Sequence, residues 1–184
     1  MPDIKPWKTL QSETILDTER YKVRKDVCQL PDGTIIQDYF VREQPDGVII
    51  FCLTKENQVL LVHQYRHAVG RVTTEFPGGF VDRHDINTAE AARRELLEET
   101  GYSSEKMEEV AVLDVDVSAS SAKLHVYAAI NAERVTAPEF RSREQTETVL
   151  VSKEELVELV KSGTIQALNQ IAVLHCVERY LGND

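Results

Sequence analysis

The sequence has few cysteines, and they are not placed for cysteine-based sites. Among 184 residues there are three, Cys28, Cys52 and Cys176, widely spaced and without a Cys-x-x-Cys pair. An odd number of isolated cysteines indicates neither a zinc site nor a disulfide framework. Free cysteines of this kind are typical of a reducing compartment, so we expect a cytoplasmic protein.

Long hydrophobic segments are also missing. No apolar run approaches the roughly 20 residues of a membrane-spanning helix, and we therefore expect no membrane partner. The first residues, MPDIKPWKTLQSE, contain no apolar stretch typical of a secretory signal peptide. A hydrophobic content of 42% and a length of 184 residues are those of an ordinary globular protein with a sizeable core.

Positive charge is scarce. Lysine and arginine number 21 against 31 aspartates and glutamates, which gives a formal net charge of −10. Proteins that bind nucleic acid neutralise its phosphates with lysine and arginine, so this balance argues against a nucleic-acid partner. A small phosphorylated substrate is compatible with the charge if a metal ion or an arginine supplies local positive charge.

Apolar segments of strand length alternate with turn signals along most of the chain. They predict strands within residues 12–44 and at 48–53, 59–65, 72–76, 109–117, 124–130 and 146–151. Near the end, a capping pattern predicts a helix from Ser152 to Gly163, and a longer helix is expected over 165–181. Strands on both sides of one helix, followed by helices, indicate a mixed sheet sandwiched by helices.

One segment, GFVDRHDINTAEAARRELLEETGY from Gly79 to Tyr102, concentrates carboxylates at helical spacing. Glu95, Glu98 and Glu99 stand at positions i, i+3 and i+4 and would project from one helix face. A hard divalent cation, which binds oxygen ligands, would relieve their mutual repulsion. The alternative is an exposed, salt-bridged helix face, which is the usual role of such charge runs.

Residues on both sides of this helix favour a site. The run Pro77-Gly78-Gly79 predicts a turn that brings the backbone close to another group. Asn87 and Glu90 have the spacing of a capping box, and Gly101 is expected to end the helix. The pair Leu96-Leu97 is predicted to anchor the helix to the core.

With these features the segment resembles the Nudix box of nucleoside-diphosphate-linked hydrolases. The box ends in Arg-Glu-hydrophobic-x-Glu-Glu-x-Gly-hydrophobic, and residues 94–102 match every fixed position. Its first half departs, because Asp85 stands where the box has glutamate, and eight residues rather than seven separate Asp85 from Arg94. From Trp7 onward, VHQYRHAVG, TEFPGGFVD and the C-terminal helix pair resemble the ADP-ribose pyrophosphatase branch of the family.

The resemblance implies a fold and an assembly. The fold would be an α/β/α sandwich of the Nudix type with a mixed β-sheet, preceded by an N-terminal antiparallel β-sheet region. Residues 1–45 would form this N-terminal strand region and residues 46–184 the Nudix hydrolase domain. In the ADP-ribose branch the N-terminal strands swap across a dimer, so a homodimer is implied, with residues 1–45 as its dimerisation element.

The resemblance also implies a metal site. Glu95, Glu98 and Glu99 would bind Mg²⁺ or Mn²⁺ together with the backbone carbonyl of Gly78, and Glu98 would also be catalytic.

Further residues are implied to act on the substrate. Arg66, in a local basic patch, would bind phosphate through its paired N–H donors, or would alternatively pair with a carboxylate. Glu75 in TEFPGG would contact the substrate or hold the glycine segment. In the loop PEFRSREQTET at residues 138–148, Glu144 would activate the attacking water, with Glu147 as the alternative.

The implied activity is metal-dependent hydrolysis of the diphosphate bond in a nucleoside diphosphate linked to a sugar, such as ADP-ribose to AMP and ribose 5-phosphate. Many ADP-ribose members carry a proline after the box, whereas residues 115–122, VDVSASSA, contain none. GDP-mannose and UDP-glucose are therefore alternative substrates. A non-catalytic, nucleotide-binding regulatory module is a further alternative, although such members tend to lose the glutamates that this chain keeps.

Overall fold

A computed structural model describes residues 4–19, 21–138 and 146–182 of the chain. The chain divides into two compact units. One consists of Met1–Pro45 and Asp114–Lys123, and the other of Asp46–Leu113 and Leu124–Asp184.

The smaller unit contains an antiparallel sheet of three strands in the order β1 (Lys8–Asp17), β2 (Lys22–Gln29) and β3 (Ile35–Glu43). Between β2 and β3, Gly33 has a φ of 91° and Asp32 accepts a hydrogen bond from the Thr34 amide at 2.9 Å. The Tyr39 hydroxyl donates to the Ser118 carbonyl at 2.7 Å, which ties β3 to the 114–123 segment. The predicted N-terminal antiparallel sheet is confirmed, although it begins before residue 12.

The described part of the larger unit has eight strands and three helices. In chain order they are β4 (Gly47–Thr54), β5 (Val59–Arg66), β6 (Arg71–Glu75), β7 (Gly78–Phe80), α1 (Thr88–Thr100), β8 (Tyr102–Ser103), β9 (Lys106–Asp114), β10 (Lys123–Arg134), β11 (Thr146–Val151), α2 (Lys153–Lys161) and α3 (Leu168–Leu181). The central order is β11-β5-β4-β10-β8, with β6 beside β5, β7 beside β4 and β9 beside β10. Since β10 is parallel to β4 while β5 is antiparallel to it, the sheet is mixed, as predicted.

Alternate side chains of β4 face two different layers. Ile50 packs in a buried cluster with Leu96 of α1, whereas Phe51 packs in a second cluster with Leu156 of α2 and Val173 of α3. Successive side chains of a strand point to opposite faces of the sheet. Helix α1 therefore covers one face, and α2 and α3 cover the other, which confirms the predicted α/β/α sandwich.

The start of α1 differs from the predicted capping box in one respect. The Asn87 side chain accepts from the Glu90 amide at 2.9 Å, as expected. The Glu90 carboxylate, however, accepts from the Ile86 amide at 2.7 Å, so it caps the residue before Asn87. At the other end Gly101 adopts a φ of 74°, and a side chain there would collide with the Thr136 carbonyl.

The two C-terminal helices agree with the prediction except at one boundary. Ser152 and Glu155 form both halves of a capping box at the start of α2, and Gly163 follows with a φ of 73°. Helix α3 begins at Leu168 rather than 165, because the Ile165 amide donates back to Leu159 of α2 at 3.0 Å. No helix in the described parts of the chain is long and apolar enough to cross a membrane.

The sheet opens between its two central strands. Strands β4 and β5 pair at Cys52–Leu60 and Leu53–Val59, and further along β7 pairs with β4 and β6 pairs with β5. The connection from β6 to β7 therefore crosses between β4 and β5, and its Pro77 carbonyl accepts from the Ile50 amide at 2.9 Å. We call residues 75–79 the crossover segment. It brings the glycines of the sequence motif next to α1.

Leu96 and Leu97 do not both anchor α1. Leu96 is 0% exposed and belongs to the α1 cluster, whereas Leu97 is 38% exposed. The expectation for Leu97 was wrong. Successive residues of a helix are rotated by about 100°, so the Leu97 side chain lies beyond the buried face that Leu96 occupies.

This difference predicts unequal effects of the same truncation. Leu96→Ala should lower the free energy of unfolding by about 2–5 kcal/mol, because it removes buried methyl groups and leaves a cavity. Leu97→Ala, the matched control on the same helix, should lower it by less than about 1 kcal/mol. Urea unfolding of both variants measures the difference, and equal losses would contradict the assignment of Leu96 as the anchor.

Candidate functional site

Helix α1 holds its carboxylates against the body of the larger unit. Glu95 and Glu99 are 8% and 7% exposed, and Glu98 is half-buried. A buried carboxylate is costly unless it is hydrogen-bonded or paired with a positive charge. The partners of these side chains therefore define how the site is built.

Arg94 is a shared partner. Its Nη1 donates to Glu95 Oε1 at 2.7 Å and to Glu98 Oε2 at 3.4 Å, while its Nε and Nη2 bind both oxygens of Asp85 at 3.0 and 2.8 Å. Nη2 also donates to the Phe80 carbonyl at 3.0 Å. The hydrogen bonds to Asp85 and Glu95 raise the pKa of Arg94 against the opposing effect of burial. Arg94 therefore remains charged and joins two carboxylates of α1 to the loop before it.

The loop before α1 accommodates the altered half of the motif. Asp85 stands where the Nudix box has glutamate, yet it still reaches Arg94 through a two-point contact. The Asp82 amide donates to Asp85 Oδ2 at 2.8 Å, which folds the loop back on itself. The additional residue is thus absorbed within the loop, and the contact between Asp85 and the helix is made.

The glycines of the crossover segment lie directly against the carboxylates. The Gly78 amide donates to Glu99 Oε2 at 2.9 Å. A side-chain carbon at Gly79 would lie 2.5 Å from Glu95 Oε1, and one at Gly78 would collide with the Val48 carbonyl. The predicted close approach of backbone is confirmed, but Gly78 and Gly79 belong to the short strand β7 rather than to a turn.

The carboxyl end of α1 is fixed by a strand. The Thr146 hydroxyl donates to the Glu99 backbone carbonyl at 3.1 Å. Since Thr146 is the first residue of β11, this bond places the start of β11 beside the Glu99 end of the helix.

Arg66 and Glu75 form a second charged pair. Arg66 Nε and Nη2 donate to the two oxygens of Glu75 at 3.0 and 2.8 Å, and the Thr73 hydroxyl donates to Glu75 Oε1 at 2.5 Å. Burial opposes ionisation of Glu75, but the hydrogen bonds from Arg66 and Thr73 outweigh it and hold the pKa of Glu75 below its ordinary value. The pairing of Arg66 with a carboxylate, one of the two predicted roles, is thus present.

Strand alternation puts this pair on the α1 face of the sheet. Leu60 of β5 packs in the α1 cluster, so Val62 and Arg66 share its face. Glu75 stands opposite Val62 in the β5–β6 register and therefore faces the same way. Arg66, Glu75 and the carboxylates of α1 thus lie on one side of the sheet.

The donor set on α1 suits a hard divalent cation. Within the described ranges, no three acidic, histidine or cysteine side chains are gathered tightly enough to form a ready-made metal cage. The positive charge beside Glu95 and Glu98 is that of Arg94. All the candidate ligands are oxygens, the type that Mg²⁺ prefers, and Gly79 leaves the space that the Glu95 carboxylate occupies. The residues present therefore have the type of ligand atom that such an ion needs.

The two candidate bases differ in what the structure says about them. Glu144 lies outside the described residues. Glu147 directly follows Thr146, which contacts α1. It stands two residues before Val149, which packs on the α2 and α3 side of the sheet. Alternation along β11 therefore turns the Glu147 side chain away from the α1 carboxylates.

Sequence reasoning missed two contributors to the site. The contact between Asp85 and Arg94 joins residues nine positions apart, across a loop whose path the motif does not fix. Thr73 binds Glu75 because the two stand at i and i+2 of one strand, a spacing that was visible once β6 was predicted.

The sequence matches two known protein families over most of its length. Residues 43–171 match the NUDIX domain, and residues 7–41 match the nucleoside diphosphate sugar hydrolase N-terminal domain. The chain therefore belongs to the Nudix family.

Three of the individual proteins that this chain resembles share about 30% of its residues or fewer over the matched segments. The methanol dehydrogenase activator of Bacillus methanolicus is 31% identical over 66% of this chain and 65% of its own length, so the chain spans less than two thirds of that protein. The ADP-ribose pyrophosphatase of Mycobacterium tuberculosis (strain ATCC 25618 / H37Rv) is 29% identical over 78% of this chain and 69% of its own length. A crystal structure of an ADP compounds hydrolase has the same fold, with a TM-score of 0.85 and 18% identity over 100% of this chain and 98% of that one.

The lowered pKa of Glu75 predicts a pH-dependent contribution of this ion pair to stability. Because the folded-state pKa of Glu75 is lowered, the ionised form favours folding above the unfolded-state value of about 4.3. The excess stability of the wild type over Glu75→Gln should thus be greatest near neutral pH and should shrink as pH falls below that value. Urea unfolding between neutral and acidic pH measures it, with Glu56→Gln at an exposed turn as the control. An excess that grows on acidification would contradict the pairing.

Proposed function

We propose that this protein hydrolyses the diphosphate bond of ADP-ribose, with AMP and ribose 5-phosphate as products. The observation that carries the proposal is the presence of the Arg66–Glu75 pair and the α1 carboxylates on one face of the sheet in a Nudix hydrolase. A relative named ADP-ribose pyrophosphatase and the family match of residues 7–41 support this substrate class.

Glu95, Glu98 and Glu99, with the carbonyl of Gly78, are the residues that we assign to bind Mg²⁺ or Mn²⁺. Nudix hydrolases generally use a divalent metal. Such an ion, when bound, supplies charge compensation for the diphosphate and acidifies water. The contact of the Gly78 amide with Glu99 and the space at Gly79 support this set of ligands.

Arg66 is proposed to bind the diphosphate. A guanidinium stays charged at all physiological pH values and grips phosphate oxygens through its planar set of donors. Glu75, which Thr73 holds in turn, fixes one edge of the guanidinium, and 42% of the Arg66 side chain is exposed, so a substrate can reach it. In this role Glu75 orients the arginine and also limits its reach.

Glu98 and Glu144 are proposed as the catalytic residues. Arg94 holds Glu98 at 3.4 Å and keeps its side chain on the site face of α1. Glu144 would accept a proton from the attacking water, a role that needs a carboxylate within hydrogen-bonding reach of that water. The orientation of Glu147 away from α1 favours Glu144 over it.

The same assay distinguishes two alternative functions. GDP-mannose and UDP-glucose present the same diphosphate between a nucleoside and a sugar. A regulatory role is favoured by one observation, since the Bacillus methanolicus relative is named an activator of another enzyme. The retention of all three α1 glutamates favours the enzyme.

We also propose that residues 1–45 act as a homodimerisation element and that residues 46–184 form the hydrolase domain. Strand β1 is exposed along its whole length and stands at the edge of its sheet. Exposed apolar side chains on this sheet include those of Leu16 and Phe40. An uncovered edge strand is a natural place for pairing with a second chain.

The activity is tested by measuring phosphate-linked turnover of ADP-ribose, GDP-mannose, UDP-glucose and diadenosine polyphosphates with Mg²⁺ and with Mn²⁺. ADP-ribose should be hydrolysed in a metal-dependent manner. Glu98→Gln and Glu99→Gln should each lower kcat/KM by about 100-fold or more, since a positioned electrostatic group is typically worth that much. Glu154→Gln, at an exposed position on α2, is the control and should match the wild type. Tight binding of one compound without turnover of any would contradict the enzyme and support the regulatory role.

The choice of base is tested by two matched variants. Glu144→Gln should lower kcat by about 10²- to 10⁴-fold with little change in KM, because a general base contributes in that range. Glu147→Gln should change kcat by less than about threefold, since its side chain faces the other side of the sheet. Steady-state kinetics with ADP-ribose measures both, and the reverse ranking would overturn the assignment.

A further inference from the structure

A buried carboxamide on the opposite side of the sheet contacts the site. Gln170 belongs to α3 and is 1% exposed. Its Oε1 accepts from the Phe76 amide at 2.7 Å, and its Nε2 donates to Glu75 Oε2 at 3.4 Å. A buried polar side chain is expected to be hydrogen-bonded, and this one uses both ends of its amide on adjacent residues.

The opening of the sheet explains how α3 reaches the α1 face. Helix α3 packs on the face opposite to α1, and a continuous pairing of β4 with β5 would separate the two. The crossover segment fills the opening instead, with Phe76 in the α3 cluster and Glu75 on the α1 face. Gln170 meets the chain where it passes from one face to the other.

Each contact of Gln170 leads to a different part of the site. Through Glu75 it supports Arg66, because Glu75 Oε2 accepts from both Arg66 Nη2 and Gln170 Nε2. Through Phe76 it holds the backbone that continues to Gly78, whose amide binds Glu99. Because Phe76 and Gly78 are two residues apart in the chain, we expect a shift of Phe76 to move the Gly78 amide.

We propose that Gln170 is a positioning residue that sets Arg66 and Glu99 relative to each other across the crossover segment. The proposal deepens the proposed function and rests on it, because Arg66 and Glu99 are assigned there to the diphosphate and the metal ion. In this role Gln170 acts through Glu75 and the Phe76 amide, with which it is hydrogen-bonded.

The two contacts need one hydrogen-bond acceptor and one donor on the same side chain. The Phe76 amide needs an acceptor, and the Glu75 carboxylate needs a donor, and a carboxamide provides one of each. Glutamate keeps the acceptor but presents a second carboxylate to Glu75, whereas leucine provides neither group. Besides Gln170, Glu75 accepts hydrogen bonds from Arg66 of β5 and Thr73 of β6, so Arg66 is the charged group that faces it among the described residues.

Gln170→Glu is the decisive variant. When protonated, the new carboxyl donates to Glu75 as the amide did, and when ionised it repels Glu75. With ADP-ribose and Mg²⁺ we expect kcat/KM to fall by about 10- to 100-fold at alkaline pH, chiefly through KM, and to recover towards the wild-type value as pH is lowered. Gln166→Glu, an exposed position four residues earlier, makes the same charge change and should follow the wild-type pH profile.

Hydrogen exchange separates failure of this inference from failure of the proposed function, because it needs no turnover. In Gln170→Leu, whose fold is verified by thermal unfolding, the amides of Phe76 and Gly78 should exchange faster than in the wild type, while the amides in the middle of α1 should not change. If wild-type protein turns over none of the compounds, the exchange result still tests the link from Gln170 to the crossover segment.

Two results would overturn the inference. One is unchanged exchange at Phe76 and Gly78 in Gln170→Leu. The other is a loss of kcat/KM in Gln170→Glu that is the same at every pH, since that loss would indicate a general effect on packing rather than repulsion between the new carboxylate and Glu75.

Discussion

Compensation of buried carboxylates on α1 is the constraint on which the rest of the site depends. The same helix that packs Leu96 into the core carries Glu95 and Glu99 to buried positions beside it. Arg94 compensates the burial of Glu95 by a charged hydrogen bond, and the Gly78 amide compensates that of Glu99 by a hydrogen bond. The glycines and the ion pairs are therefore both needed because a helix that carries carboxylates is anchored in the core.

The opening between β4 and β5 has a similar organising effect on the other half of the site. It lets the crossover segment pass through the sheet, with Phe76 packed on one face and Glu75 presented on the other. A sheet with complete pairing would keep α3 apart from the α1 face. The interrupted pairing instead lets one end of Gln170 serve the backbone and the other serve a side chain.

Local patterns in the sequence predicted the secondary structure around the site. Helical spacing of Glu95, Glu98 and Glu99 and the glycine at 101 predicted α1 and its end, and the apolar run of β4 predicted a central strand. Contacts between distant segments were not predictable in this way. Gln170 lies 95 positions from Glu75, and nothing in the pattern of α3 distinguishes an interior glutamine from an exposed one. Leu97 shows the same limit at short range, since its exposure depends on where the neighbouring layer ends.

The ion pairs of this site are better understood as compensation than as sources of stability. Removing two charges from water costs about as much as their attraction returns, so a buried pair is weak support for a fold, while breaking one leaves an uncompensated charge. Arg94 with Asp85, and Arg66 with Glu75, thus keep charged groups tolerable next to a core built on residues such as Leu96. The core supplies the stability, and the arginines determine where the carboxylates point. Arg94 holds the Glu95 carboxylate and the Gly78 amide holds that of Glu99, and each contact fixes the direction of a group that is to bind a cation.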